Sequence, residues 1–270
     1  MHNKFSALRP KKSYGQHFLT SERIAERIAL SLSTDNNFKK VLEVGPGKGM
    51  LTKYLLKTDF EITAVEADSD MTLYLEEHFP ELEGQLFNFD ILKFDPTKVF
   101  GEEQFALIGN YPYNISSQIV FRMLKYRAYI PEMVGMFQKE MADRIVASPG
   151  SKDFGIISVL TQLYYDCKLL FKVERGNFNP PPKVRSAVIR CTRKSDEYPD
   201  LDYSLFKSIV KMTFNNRRKM LRNTLKAFTK STELADKEFF TQRPEQLSVR
   251  DFVLLTEWVK KKQSEEAGDA

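Results

Sequence analysis

Apolar residues fall into two rhythms along the chain. In the first, short runs are apolar almost throughout: KVLEV ahead of the glycines at 45–49, FEITAVEAD (60–68), QLFNFD (85–90) and FALIGN (105–110). Their length and lack of a polar face predict strands covered on both sides. In the second, apolar positions recur at helical spacing, as in SERIAERIALSLS (21–33), where Thr20 or Ser21 can cap the helix, and in MTLYLEEHF (71–79). Strands that alternate with helices predict βαβ units and a parallel sheet with helices on both faces.

The alternation continues downstream. EMVGMFQKEMADRIVAS (132–148) predicts a strand running into a helix, 155–164 a helix, and YYDCKLLFKV (164–173) and VRSAVIRCT (184–192) two more strands. Between these last two, Pro180, Pro181 and Pro182 can form neither a helix interior nor a central strand, so they require a loop. At RKSDEYPD (193–200) the chain turns polar. A boundary there divides it into a domain of residues 1–195 and a small helical domain of residues 196–270 that ends in a frayed SEEAGDA.

Composition narrows the setting. The chain has 270 residues, 42% of them hydrophobic, enough for a sizeable core. No run approaches the roughly 18 apolar residues that span a bilayer, and the basic start MHNKFSALRPKKSYGQ has no apolar segment behind it, so neither membrane insertion nor export is expected. Cys167 and Cys191 show no CxxC spacing and are expected to be reduced core residues, which fits a cytoplasmic protein. Lysine and arginine number 41 against 36 acids. That excess suits a nucleic-acid partner and is also common in proteins without one. Its distribution says more: Lys11 and Lys12 belong to a basic start, and Arg217, Arg218, Lys219 and Arg222 form a second cluster. Each is a candidate RNA contact or an ordinary solvated face.

Gly45, Gly47 and Gly49 follow the first long strand, where a missing Cβ lets the backbone approach a ligand closely. The spacing E-V-G-P-G-K-G departs from the GxGxxG of dinucleotide folds and suits a nucleoside methyl donor better than NAD. Glu66 ends the second strand, where a carboxylate can accept from both hydroxyls of a ribose. Asp90 ends the third, placed to accept from the amino group of an adenine or to serve as a turn residue. Glu43, Glu66 and Asp90 together mark a crevice along one sheet edge.

Asn110-Tyr111-Pro112-Tyr113 closes the FALIGN strand on that same edge. An isolated N-x-P-Y is often only a turn. Beside a donor crevice it has a chemical meaning: the amine of adenine is a poor nucleophile because its lone pair is delocalised into the ring. The Asn110 amide oxygen and the Pro112 carbonyl can each accept one N–H, leaving the lone pair toward the methyl group. Tyr113 can stack on the base, a contact worth about 1–3 kcal/mol, with Phe178 a candidate for the opposite face. Such a reaction calls for no metal.

These segments carry a resemblance over nearly the whole chain. KKSYGQHFL (11–19), LEVGPGKGMLT (42–52), the acid of VEAD, FD at 90, NYPYNISS (110–117), FQKEMADRI (137–145), FNPPPKVRSAVIR (178–190) and RRKMLRNTL (217–225) are together similar to the KsgA-type ribosomal RNA small-subunit adenine dimethyltransferases. The resemblance implies a Rossmann-like class I S-adenosylmethionine-dependent methyltransferase domain with a small helical C-terminal domain. It implies dimethylation of two adjacent adenosines in the hairpin loop near the 3′ end of 16S rRNA, late in 30S assembly, by a monomer. It also implies donor contacts from His17, Leu19, Gly45, Gly47, Glu66, Asp90 and Asn110. Tyr111 departs from the pattern, since the family more often carries an aliphatic residue there. Competing readings are the related large-subunit rRNA methyltransferases, a DNA adenine methyltransferase, and an RNA-binding factor that keeps the fold without turnover.

Overall fold

A computed structural model describes residues 17–33, 38–195, 197–231 and 233–268. The chain divides into two compact units, Met1–Ala142 with Tyr165–Arg193, and Asp143–Tyr164 with Lys194–Ala270.

Among the described residues the first unit contains nine strands: β1 (Phe18–Leu19), β2 (Lys40–Val44), β3 (Glu61–Glu66), β4 (Leu86–Asn88), β5 (Phe105–Asn110), β6 (Glu132–Gln138), β7 (Tyr165–Val173), β8 (Phe178–Asn179) and β9 (Ser186–Arg193). Seven form one sheet in the order β4-β3-β2-β5-β6-β9-β7. The first five of these run parallel, and β9 lies antiparallel between β6 and β7. From β2 the chain winds outward to β4, then returns to place β5 on the other side of β2. Strand order reverses between β2 and β5, which opens a crevice at their carboxyl ends, the general ligand position of open parallel sheets.

The runs predicted as doubly covered strands are buried along their length: Val41, Leu42, Ala64, Ala106, Ile108 and Val134 are at most 1% exposed. The helix predicted at 21–33 is shorter, Glu22–Ala29, and turns Ala25, Ile28 and Ala29 into this core. Its polar positions Glu22, Arg23 and Glu26 stay exposed. Cys167 and Cys191 are register partners on β7 and β9 with Sγ atoms 3.3 Å apart, both free thiols.

A two-stranded ribbon forms apart from the main sheet. Phe18 pairs with Asn179 and Leu19 with Phe178, and Thr20 N–H donates to the Asn177 carbonyl at 2.8 Å. This ties the front of the chain to the segment just before the three prolines.

The second unit is helical, with Tyr203–Asn215 and Val249–Gly268 as its long helices. Asp202 caps the first, accepting from Leu205 N–H at 2.9 Å. Residues 143–164, expected in a first domain that runs on to residue 195, belong to this unit instead. Arg217 Nη2 donates to the Ser151 carbonyl at 3.1 Å, Gly150 N–H to the Glu245 carbonyl at 2.6 Å, and the Phe154 ring meets Phe214 edge-on at 6.2 Å. Composition locates a linker, but it gives no sign of an excursion that leaves one unit and returns. Among the described residues no helix is long and apolar enough to cross a membrane.

Candidate active site

At the carboxyl ends of β2, β3 and β5 the first unit encloses a cavity of about 850 Å³, the size of a small-molecule or cofactor site. His17, Leu19, Gly45, Gly47, Glu66, Asp90, Asn110, Pro112 and Tyr113 all line it. Residues spread over almost a hundred positions meet there because each closes a strand or loop on the same edge.

The glycines do different work. Gly45, Gly47 and Gly49 all have positive φ, at +68°, +58° and +75°, so a side chain at any of them would be strained. Gly47 lies under the Phe18 ring, which would sit 3.2 Å from a Cβ. At Gly49 the obstacle is Phe79, 2.2 Å from a Cβ. Gly49 is therefore required by packing beneath the loop, whereas Gly45 and Gly47 face the cavity.

Glu66 is 5% exposed and accepts two backbone N–H groups, from Gly47 at 2.9 Å on Oε2 and from Asp68 at 2.9 Å on Oε1. Burial pushes its carboxyl above the usual range, against the downward pull of those N–H groups. Each oxygen keeps a further lone pair, so the group is oriented and still able to accept. Glu43, one strand over, is 1% exposed and receives the Thr52 hydroxyl at 2.8 Å. Burial pushes it up to about 8. Glu43 thus forms a neutral floor under the loop at neutral pH. Asp90 lies two residues beyond the end of β4 and accepts Leu92 N–H at 2.8 Å on Oδ1, a turn geometry that fixes its carboxylate at the cavity wall.

Asn110 Nδ2 donates to the His17 carbonyl at 3.1 Å. With its amide donor so engaged, the side chain is oriented and Oδ1 is turned away from that carbonyl. The Pro112 carbonyl accepts Ile115 N–H at 3.2 Å and retains its second lone pair. Tyr113 is held at its far end, where its hydroxyl lies 2.6 Å from Ser186 Oγ on β9, and the His17 ring stacks on it at 5.4 Å. His17 Nδ1 lies 2.8 Å from the Pro180 carbonyl, which can only accept, so Nδ1 carries the hydrogen.

Tyr111 points the other way. It is 1% exposed, and its ring fills the space left by two glycines that are register partners on β5 and β6. A Cβ at Gly109 would sit 2.9 Å from Tyr111 Cε1, and one at Gly135 only 1.9 Å from Cε2. The departure at this position is absorbed inside the sheet.

Other expected site residues are placed differently. Phe178, expected across the base from Tyr113, is 4% exposed, packs in the core cluster with Leu19 and Ile28, and does not line the cavity. Its β8 pairing with Leu19 directs it there. Arg217 is committed to Ser151 and to Glu245, 3.7 Å away, while Arg218 is exposed and Arg222 half-buried. The cluster spans a turn: Arg217, Arg218 and Lys219 follow the helix that ends at Asn215, and Arg222 lies in the next, Leu221–Thr224. Lys11 and Lys12 lie outside the described residues. Sequence reasoning missed Ser186, although it lies within the FNPPPKVRSAVIR segment, and it missed Gly109 and Gly135, whose presence inside strands signals a close approach.

The donor set fits an adenosyl ligand: a buried acceptor at Glu66, an oriented carboxylate at Asp90, and Val65 and Ile91 between them as apolar wall. The chain is also similar to known proteins. The chain is 48% identical to ribosomal RNA small subunit methyltransferase A of Flavobacterium johnsoniae over 93% of this chain and 95% of that one, and 49% identical to the protein of the same name from Bacteroides thetaiotaomicron over 93% and 94%. Among solved structures, a dimethyladenosine transferase from Plasmodium falciparum shares the fold with a TM-score of 0.78 at 23% identity, covering 91% of this chain and 98% of that one. The 23S rRNA methyltransferase ErmE matches with a TM-score of 0.65 at 26% identity, covering 90% and 99%. The fold is thus a Rossmann-like methyltransferase fold with a helical C-terminal part. A family model described as ribosomal RNA adenine dimethylase matches residues 7–261, and with Glu66, Asp90 and Asn110 gathered on one edge of that fold, the chain belongs to the ribosomal RNA adenine dimethylase family.

Proposed function

We propose that the protein dimethylates the exocyclic amines of two adjacent adenosines in the 3′-terminal hairpin loop of 16S rRNA, acting in the cytoplasm as a monomer on a partly assembled 30S particle. The observation that carries this reading is the shared cavity, lined by Glu66 and Asp90 from the β3 and β4 side of β2 and by Asn110, Pro112 and Tyr113 from the β5 side.

When bound, S-adenosylmethionine supplies a methyl group made electrophilic by a positively charged sulfur. Glu66 accepts from the ribose hydroxyls and Asp90 from the adenine amine of that donor, while Gly45 and Gly47 let the loop backbone approach. Asn110 Oδ1 and the Pro112 carbonyl accept the two N–H bonds of the target amine and draw the nitrogen toward tetrahedral geometry. Tyr113, anchored through Ser186, presents its ring to the base, and His17, which also lines the cavity, stacks on that ring. No strong base is needed on the chain, because the methylated nitrogen is cationic and loses its proton readily. The names of the 46–49% identical relatives favour the small subunit, and the likeness to ErmE makes the large subunit the second reading.

Mass-spectrometric mapping of dimethyladenosine in rRNA, from cells with and without the protein, tests both. Loss of two adjacent dimethyladenosines from 16S rRNA is the expected result. Loss confined to 23S rRNA, or no loss at all, overturns the proposal.

A further inference from the structure

A second depression, of about 500 Å³, lies on the first unit and is lined by Lys139, Glu174, Arg175, Lys183, Val184 and Arg185. Arg175, Lys183 and Arg185 are exposed and Lys139 is half-buried. Four cations thus share one concavity with one acid. Glu174 Oε1 stands 3.8 Å from Arg185 Nη1, and with side chains 69% and 53% exposed this pair is solvent-screened and leaves the depression strongly positive.

The cluster is built into the backbone. Lys139 N–H donates to the Arg185 carbonyl at 2.9 Å, and Arg175 Nη1 to the Lys183 carbonyl at 3.3 Å. Its place in the sheet gives it a meaning. Gln138 at the end of β6 and Val173 at the end of β7 are both register partners of Ser186, the residue that anchors Tyr113. Lys139 and Arg185 are the next residues outward along their strands. The depression therefore opens on the carboxyl edge of the sheet, one residue beyond the groups that hold the stacking ring.

We propose that this depression binds phosphates of the RNA strand flanking the target adenosine, with Arg175, Lys183 and Arg185 as the contacts and Lys139 behind them. The proposal rests on the rRNA reading above. A base held against Tyr113 brings its neighbouring phosphates to the protein surface beside it, and that surface is here a concavity of like charges whose mutual repulsion an anion relieves. Arginine's planar fork suits phosphate oxygens in particular. Such contacts set where the strand lies and carry no sequence information.

The test uses the full-length protein, a single-stranded RNA with the 3′-terminal small-subunit sequence, and a scrambled RNA of equal length. Binding is followed across a range of KCl concentrations for wild type, Arg175→Gln, and Lys183→Gln combined with Arg185→Gln, with S-adenosylmethionine affinity measured in parallel. Both variants should bind both RNAs several-fold more weakly. The slope of log affinity against log salt should fall by about 0.7 for each phosphate no longer neutralised, with donor affinity unchanged. If wild type binds RNA and both variants keep its affinity and slope, the depression does not bind RNA and the rRNA reading survives. If wild type binds neither RNA, the depression does not bind RNA, and the rRNA reading then stands or falls on the dimethyladenosine mapping above.

Discussion

The sharpest test of how this site is supported is Gly135→Ala. The added methyl would stand 1.9 Å from Tyr111 Cε2, about 1.6 Å inside the ~3.5 Å at which carbon atoms rest. The ring cannot retreat. It is 1% exposed, its opposite edge already lies against Gly109, and Phe137 packs on it at 4.9 Å. Overpacking by one methyl usually costs 1–3 kcal/mol, and with no flexible neighbour to give way we expect about 3 kcal/mol. Tyr111→Leu should cost about 2 kcal/mol through the cavity it leaves. In the double variant the alanine methyl enters that cavity, so the total should be about 2–3 kcal/mol, well short of the sum, a coupling of at least 2 kcal/mol. The single tryptophan, Trp258, belongs to the helical unit, so urea unfolding is best followed by far-ultraviolet circular dichroism with hydrogen exchange of β5 and β6 peptides. Additive costs in the double variant, or a Gly135→Ala protein as stable as wild type, would refute the account of Tyr111 as a plug between paired glycines.

Other expectations are more directly functional. Glu66→Ala should weaken S-adenosylmethionine binding at least tenfold by calorimetry, since a buried carboxylate in place to accept from the ribose is lost, whereas Asn110→Ala should lower kcat with little change in donor affinity; the reverse pattern would exchange their roles. Glu43 sits up to about 8 in the folded chain against an ordinary 4.5, so the native state holds more protons than the unfolded one between those values. Its stabilising contribution is therefore complete below about pH 4.5 and is lost as pH rises toward 8, at no more than ~1.4 kcal/mol per pH unit. Glu43→Gln should flatten the fall in urea midpoint between pH 6 and pH 9, and an undiminished fall would mean that Glu43 does not titrate there. Arg218→Ala with Arg222→Ala should give a shallower salt dependence of RNA binding, by about 0.7–0.9 for each phosphate the pair neutralises; Arg217→Ala should instead lower the stability of the helical unit, where it holds Ser151 and Glu245.

Much of this architecture can be read from residue order alone, because strand ends in a parallel sheet converge whatever lies between them. Gly45, Glu66 and Asn110 each close a run whose periodicity identifies it as a buried strand, so their meeting in one cavity follows from topology. What could not be read depends on pairing between distant segments. Phe178 is available for stacking as far as its sequence neighbours show, but the pairing of β8 with β1 turns its ring into the core. Ser186 gave no sign of its bond to Tyr113, 73 positions away. Residues 143–164 carry the end of one helix and the whole of another between two strands of the first unit, and their pattern gives no sign of which unit they pack against. Tyr111 stands between these cases: the two glycines that explain it are visible in the sequence, but their being opposite one another is not.

The β1–β8 ribbon also bears on when the protein can begin to work. His17 and Pro180 are 163 positions apart, yet the imidazole over the cavity is pinned to that proline's carbonyl. A growing chain that has just released Asn110 already carries the glycine loop, Glu66 and Asp90, but the strand that secures their cover has not been made. At ordinary synthesis rates that interval lasts on the order of several seconds. A chain whose family acts on ribosomal RNA thus emerges from its own ribosome with this cavity unfastened until almost the whole of the sheet has been made.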